Sequence, residues 1–154
     1  MVAGDPALTA GTGTPTGPFR VTIRDGKVIG AGWGPAGPAE DPLLSEALAQ
    51  VAAYFDRRLT SFDLPLAPGG SGLGPRVWAA MQAIPFGATR TYGALARELG
   101  APAQAIGQAC GANPIALFIP CHRITGTGRL GGFSGASGPE TKAALLAHEE
   151  ALLL

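Results

Sequence analysis

The stretch "TYGALARELGAPAQAIGQACGANPIALFIPCHRI" (residues 91–124) decides how this chain reads. Its first half carries two short helical patterns. Thr91 suits an N-cap, Leu95, Ala96 and Leu99 follow at helical spacing, and Gly100 can close the helix in a left-handed conformation. "PAQAIGQACGA" (102–112) then opens on a proline at the first helical position and is dominated by small residues. The turn at Gly100–Ala101 joins the two into a helix-turn-helix pattern. Ala103, Ala105, Gly107, Ala109 and Gly111 give the second helix a smooth surface, fit for tight helix packing or for close approach of a partner.

The second half of the stretch carries the chemistry. Ile115, Leu117, Phe118 and Ile119 read as a buried, strand-like run ended by Pro120, which leaves Cys121 at the edge of a core. Most free cysteines are buried and inert. The neighbours here suit a reactive one, because the thiolate is the nucleophile and cations or helix ends lower its ordinary pKa of about 8.5. His122 can take the thiol proton directly or through a water, and a carboxylate can hold that imidazole in the right tautomer.

Outward from this stretch, the N-terminal half reads as a small sheet and a helix. "FRVTIRDGKVIGAGWG" (19–34) alternates β-branched and polar residues around Asp25–Gly26, a dipeptide suited to a type I′ hairpin turn. "DPLLSEALAQVAAYFDRRL" (41–59) has helical periodicity, with Asp41 as N-cap and Pro42 at the first position. "SFDLPLAPGGSGLG" breaks every regular pattern and places a linker at about 65–74. "PRVWAAMQAIPFG" (75–87) predicts a helix stopped before Pro85. The expected fold class is α+β. A small N-terminal α/β domain (1–68: leader, hairpin or sheet, and helix) precedes a mostly helical domain (69–154) with a winged-helix-like helix-turn-helix and the cysteine loop. Phe19, Trp33, Phe55 and Trp78 are expected in the core, and Arg57–Arg58 at a solvated helix end.

Composition narrows the function classes. With 46% apolar and 14% charged residues the chain should fold, and the 24 glycines and 14 prolines imply loop-rich stretches around a better-ordered segment. No run of 18 apolar residues suggests a membrane span. The first 20 residues lack a basic n-region followed by an apolar h-region and read as a flexible, non-secreted lead-in, so a cytoplasmic protein is expected. Two cysteines, Cys110 and Cys121, cannot build a structural zinc site alone, and neither a metal nor a cofactor is expected. Formal net charge is zero, but residues 1–74 carry five basic against seven acidic side chains and residues 75–154 six against four. Any nucleic-acid footprint is therefore local, in the C-terminal half.

At Pro120–Cys121–His122–Arg123–Ile124 the chain resembles the active-site motif of the O6-alkylguanine-DNA alkyltransferases, the methylated-DNA–protein-cysteine methyltransferases. The resemblance extends upstream through "IPFGATRTYGALA" and "AQAIGQACGANP" and downstream through "GRLGGFSG" and "KAALLAHE", covering roughly 75–149 in family order. It implies a monomer that binds double-stranded DNA through the minor groove, flips an O6-alkylguanine into a pocket and moves the alkyl group irreversibly to Cys121, once per molecule. It implies His122 as the base acting through a water, Glu149 as the group orienting it, Asn113 as the pin of the cysteine loop, and Tyr92 as proton donor to the departing guanine. Ser134, with Phe133, Ala116 and Arg123, would shape the substrate pocket. Ala103, Gln104, Ala105 and Gly107, with Arg90 and Thr91, would face DNA.

The chain departs from the family pattern in places. Gln104 stands where an arginine usually fills the gap left by the flipped base, and it lacks charge and guanidinium stacking. Phe133 stands where tyrosine is common, "FSGASGPETK" is two residues longer than usual, and Ala116 replaces a proline of some members. Gln104 keeps alive an alternative from another class, a non-catalytic lesion-binding protein on the same scaffold. The presence of Cys121 argues against it. A generic cysteine hydrolase would leave the helix-turn-helix unexplained. Cys110 is expected as a packed small apolar residue.

Overall fold

The computed structural model describes residues 6–128, 130–131 and 138–151. Strands β1 (Leu8–Thr12), β2 (Phe19–Arg24) and β3 (Lys27–Trp33) form an antiparallel sheet in that order. The predicted hairpin is β2–β3, joined by Asp25 and Gly26 with φ of 52° and 74°, both left-handed as a type I′ turn requires. β1 corrects the expectation of a flexible lead-in over the first 20 residues. Leu8–Thr12 pairs in register with β2, and Ala10 is fully buried. Its Ala-Gly-Thr composition carries little strand propensity, so pairing and burial decide its conformation.

Helix α1 (Pro42–Phe55) covers the sheet. Asp41 caps it as expected, its Oδ1 accepting from the backbone N–H of Leu43 at 2.8 Å and of Leu44 at 3.3 Å. Leu44, Ala47, Val51 and Tyr54 line its buried face at spacings of three and four, against Phe19, Val21 and Ile23 of β2. The helix ends four residues short of the predicted 59, and Arg57 follows with a left-handed φ of 60°. The supposed linker is partly recruited to the sheet. The N–H of Val28 donates to the Pro65 carbonyl, and that of Ala67 to the Val28 carbonyl, both at 2.8 Å.

The helical half comprises α2 (Leu73–Gln82), the two-residue strand β4 (Arg90–Thr91), α3 (Tyr92–Leu99), α4 (Ala103–Gly111), a 3₁₀ turn (Cys121–Arg123), β5 (Ile124–Thr125) and α5 (Pro139–His148). Helices α2, α3 and α4 pack on one another, and the indole N–H of Trp78 ties α2 to α4 through the Ala109 carbonyl at 2.9 Å. Thr91 and Gly100 bound α3 as predicted: the Thr91 hydroxyl accepts from the Ala94 N–H at 3.0 Å, and Gly100 is left-handed at φ 67°. Parallel pairing of β4 with β5 holds the start of α3 beside the end of the cysteine turn.

Residues 115–119 are not the expected strand-like run. The chain folds back on itself, Ile119 N–H donating to the Ile115 carbonyl at 2.9 Å, with Leu117 in the left-handed region at φ 71°. Apolar composition signalled burial here but could not signal the turn. Leu117, Phe118 and Ile119 are all buried, and Phe118 lies edge-on to Phe19 of the sheet and to Phe62. Backbone bonds from Ala31 N–H to the Pro114 carbonyl and from Ala116 N–H to the Ala31 carbonyl, each 3.0 Å, lash the loop to β3. The cysteine loop is thus clamped between the two halves of the chain.

Candidate active site

Cys121 opens the 3₁₀ turn, partly buried, directly after the fully buried Ile119 and the buried Pro120. Asn113 fixes this loop from within. Its Nδ2 donates to the Ile119 carbonyl at 2.8 Å, and its Oδ1 accepts from the Ile115 N–H at 3.0 Å. Burial pushes the Cys121 thiol up from its ordinary value, while hydrogen bonding from Asn113 and the charge of Lys142 pull the other way without overcoming it. The resting sulfur is therefore a thiol and needs a base when it reacts.

His122, the next residue, is fully buried. Its Nε2 meets Glu149 Oε2 at 2.8 Å. Glu149 is itself only 2% exposed, and Arg123 grips it twice, Nε to Oε1 at 2.8 Å and Nη2 to Oε2 at 3.0 Å. Burial alone would raise the Glu149 carboxyl, but hydrogen bonds from His122 and Arg123, with the charge of Arg123, hold it at about 2. An ionised carboxylate only accepts, so Nε2 carries the imidazole proton and Nδ1 is left as an acceptor. Burial pushes the His122 pKa down, against the pull of Glu149, so the ring rests neutral. Among the described residues Nδ1 has no hydrogen-bond partner, although it is buried. It is the free basic site on the residue next to the thiol.

Tyr92 opens α3 and is half-buried against the same site. Burial raises its hydroxyl pKa, and the nearby sulfurs of Cys110 and Cys121 raise it further. The ring is held by two residues that sequence reasoning passed over. Lys142 of α5, buried, places Nζ 5.7 Å from the ring centroid, and Gly131 lies so close that a Cβ there would stand 3.0 Å from Tyr92 Cε2. A basic residue at a buried position of a C-terminal helix was the available signal for Lys142.

Other predicted residues fall as follows. Arg123, expected on the pocket wall, commits its guanidinium to Glu149 and, through Nη1 at 2.6 Å, to the Ile84 carbonyl. Ala116 is partly exposed on the loop. Ser134 and Phe133 lie outside the described residues. On α4, Ala103 and Gln104 are exposed, and Ala105 and Gly107 half-exposed. Arg90 pairs with Glu98, and Thr91 caps α3. Cys110 is partly buried, with its thiol pushed up to about 12 by burial and by Cys121. A cleft of about 500 Å³ opens behind the loop between Phe62, Leu64 and Phe86; it reaches Pro120 and Arg123 but not Cys121. Among the described residues no cluster of His, Cys, Asp or Glu could hold a metal ion, and no helix is long and apolar enough to cross a membrane.

The missed residue at the centre is Tyr54. Its hydroxyl donates to Glu149 Oε2 at 2.5 Å from α1, 95 positions away in sequence. A tyrosine on an otherwise apolar helix face needs a partner for its O–H, which was the signal.

Comparison with known proteins agrees with this geometry. The family model described as "6-O-methylguanine DNA methyltransferase, DNA binding domain" matches residues 74–151. The methylated-DNA–protein-cysteine methyltransferase of Mycolicibacterium paratuberculosis is 49% identical over 106 residues, a stretch covering 67% of this chain and 63% of that protein. Its namesake in Methanosarcina acetivorans is 47% identical over 107 residues, 68% and 67% of the two chains. The matched stretch thus spans just under two thirds of the first of these relatives. Among solved structures, the O6-methylguanine methyltransferase of Mycobacterium tuberculosis superposes with a TM-score of 0.81 at 34% identity, covering 94% of this chain and 93% of that one. The complex of the M. tuberculosis OGT with DNA gives 0.82 at 37% identity over 92% of each chain. With the cysteine turn, its buried histidine and carboxylate, and the helix pair all inside the matched region, the chain belongs to the O6-methylguanine DNA methyltransferase family.

Proposed function

We propose that this protein repairs DNA by moving an alkyl group from O6 of guanine to Cys121, irreversibly and once per molecule. The observation that carries the reading is the buried His122, neutral and oriented by Glu149 through Nε2, whose Nδ1 has no partner among the described residues and which directly follows Cys121, a thiol that burial keeps protonated. In the transfer, Nδ1 takes the thiol proton through a water, the sulfur attacks the alkyl carbon, and the C–O6 bond breaks. The Tyr92 hydroxyl supplies a proton to the departing guanine. Asn113 is a positioning residue, holding the loop and donating to the sulfur.

The exposed small-residue face of α4 enters the minor groove of double-stranded DNA, and Gln104 occupies the space left by the flipped nucleotide. The relative solved with DNA supports DNA as the partner. Residues 69–154 carry binding and transfer, and residues 1–68 brace them. The protein works as a monomer in the cytoplasm, without metal or cofactor. A single-turnover assay tests the reaction: duplex DNA containing O6-methylguanine is mixed with excess protein and its nucleosides are analysed. One guanine restored per protein consumed is the expected result. Lesion-selective binding with O6-methylguanine intact would instead favour a binding protein and point to Gln104.

A further inference from the structure

The N-terminal half reaches the thiol-activating groups at one atom. Glu149 Oε2 accepts from the Tyr54 hydroxyl at 2.5 Å, from His122 Nε2 at 2.8 Å and from Arg123 Nη2 at 3.0 Å. Tyr54 is fully buried, and its ring is fixed by aromatic neighbours, Phe55 at 4.9 Å, Phe62 at 5.4 Å and Phe86 at 5.9 Å between centroids. The hydroxyl is therefore delivered to Oε2 by a rigid helix and a packed ring. It is not a mobile surface group that happens to touch the site.

We propose that Tyr54 is a positioning residue for the transfer reaction, which through its hydrogen bond to Glu149 Oε2 sets how strongly the carboxylate holds the proton of His122. The inference rests on the alkyl-acceptor reading of Cys121. Each donor on Oε2 draws on the same negative charge. The phenol draws charge away from the His122 contact, so the imidazole is less stabilised in its protonated form and stays neutral to lower pH. Burial, and then the charge and hydrogen bond of Glu149, keep the phenol protonated, so the donor is present throughout the working range. The charged and titratable groups facing the cluster are Arg123 from the 3₁₀ turn, Lys142 and His148 from α5, Arg57 after α1 with its partner Glu150, and Cys121. His148 bonds the backbone carbonyl of Tyr54 at 2.8 Å, a contact that survives substitution of the side chain.

Tyr54→Phe removes the donor and keeps the ring. The midpoint of His122, followed by imidazole NMR, is expected to rise by about half to one pH unit. The acid limb of Cys121 reactivity toward iodoacetamide should rise with it. Below the limb the variant then reacts about three- to tenfold more slowly, and above it at the wild-type rate. Site-specific 3,5-difluorotyrosine at position 54, a stronger donor, should move the midpoint the opposite way. Opposite shifts from the two substitutions support the proposal. An unmoved His122 midpoint in a folded variant, or an equal loss of rate at every pH from both substitutions, overturns it. Should Tyr54→Phe not fold, the difluorotyrosine protein alone decides through the sign of its shift. Because the NMR midpoint needs no DNA, failure of this proposal is distinguishable from failure of the repair reading, which would show as absent methyl transfer by the wild-type protein.

Discussion

Replacing Glu149 by glutamine puts the largest electrostatic demand on the structure. The carboxylate is buried and takes hydrogen bonds from Tyr54, His122 and, twice, Arg123. Glu149→Gln keeps the shape but leaves Arg123, 6% exposed, as a buried cation without its anionic partner, with only neutral acceptors such as the Ile84 carbonyl and the new amide oxygen. Breaking one side of a buried ion pair costs about 3–5 kcal/mol. Proton linkage gives a similar size by a separate route. The carboxyl value falls from 4.5 to about 2 on folding, and at about 1.4 kcal/mol per pH unit that gap contributes about 3 kcal/mol. Because the folded value is the lower one, this stability is fully present above the unfolded value and is lost as pH falls toward 2. Urea denaturation at pH 7 and pH 2.5 measures it. The variant is expected to be about 3 kcal/mol less stable at pH 7, and the gap should shrink below about 1 kcal/mol at pH 2.5. A difference under about 1 kcal/mol at pH 7, or an equal difference at both pH values, would show that the Glu149 charge does not stabilise the fold.

Three further substitutions probe separate parts of the site. Asn113→Ala removes the bonds to Ile115 and Ile119 and the donor to the sulfur; stability should drop by about 1–3 kcal/mol, and the pH profile of Cys121 alkylation by iodoacetamide should move to higher pH. Gly131→Ala combines a φ of 78° with a Cβ 3.0 Å from Tyr92 Cε2 and 3.3 Å from Lys142 Nζ. It should cost about 1–2 kcal/mol in thermal denaturation and slow methyl transfer, and a wild-type transfer rate would show that the Tyr92 position is not required. Gln104→Arg adds a cation to the exposed start of α4 and should tighten duplex DNA about three- to tenfold at low salt, with a steeper salt dependence. An affinity unchanged across salt concentrations would remove α4 from the DNA-facing surface.

The legible parts of the sequence were those written in local chemistry. Asp41–Pro42, Thr91 and Gly100 mark helix ends because caps depend on the residue itself, and Asp25–Gly26 marks its turn for the same reason. The motif from Pro120 to Ile124 pointed to Asn113 and Glu149 as its companions, and the structure places Asn113 inside the cysteine loop and Glu149 against His122. What local chemistry does not encode was missed. β1 exists because β2 offers an edge, and residues 115–119 turn back because Asn113 and β3 hold them. Tyr54 reads as one more apolar position of α1, although its hydroxyl completes a cluster 95 residues away. Arg123 sits in the motif, yet its side chain serves the buried carboxylate instead of the pocket wall, a choice made by tertiary burial.

In the proposed transfer the methyl group ends on the sulfur of Cys121. Intact-protein mass spectrometry after mixing with O6-methylguanine duplex DNA, followed by peptide mapping, tests this for wild type and Cys121→Ser. One adduct of about 14 Da, mapped to Cys121 with Cys110 unmodified and absent from the serine variant, is the predicted result. No adduct on the wild-type protein, or the same adduct on Cys121→Ser, would contradict it.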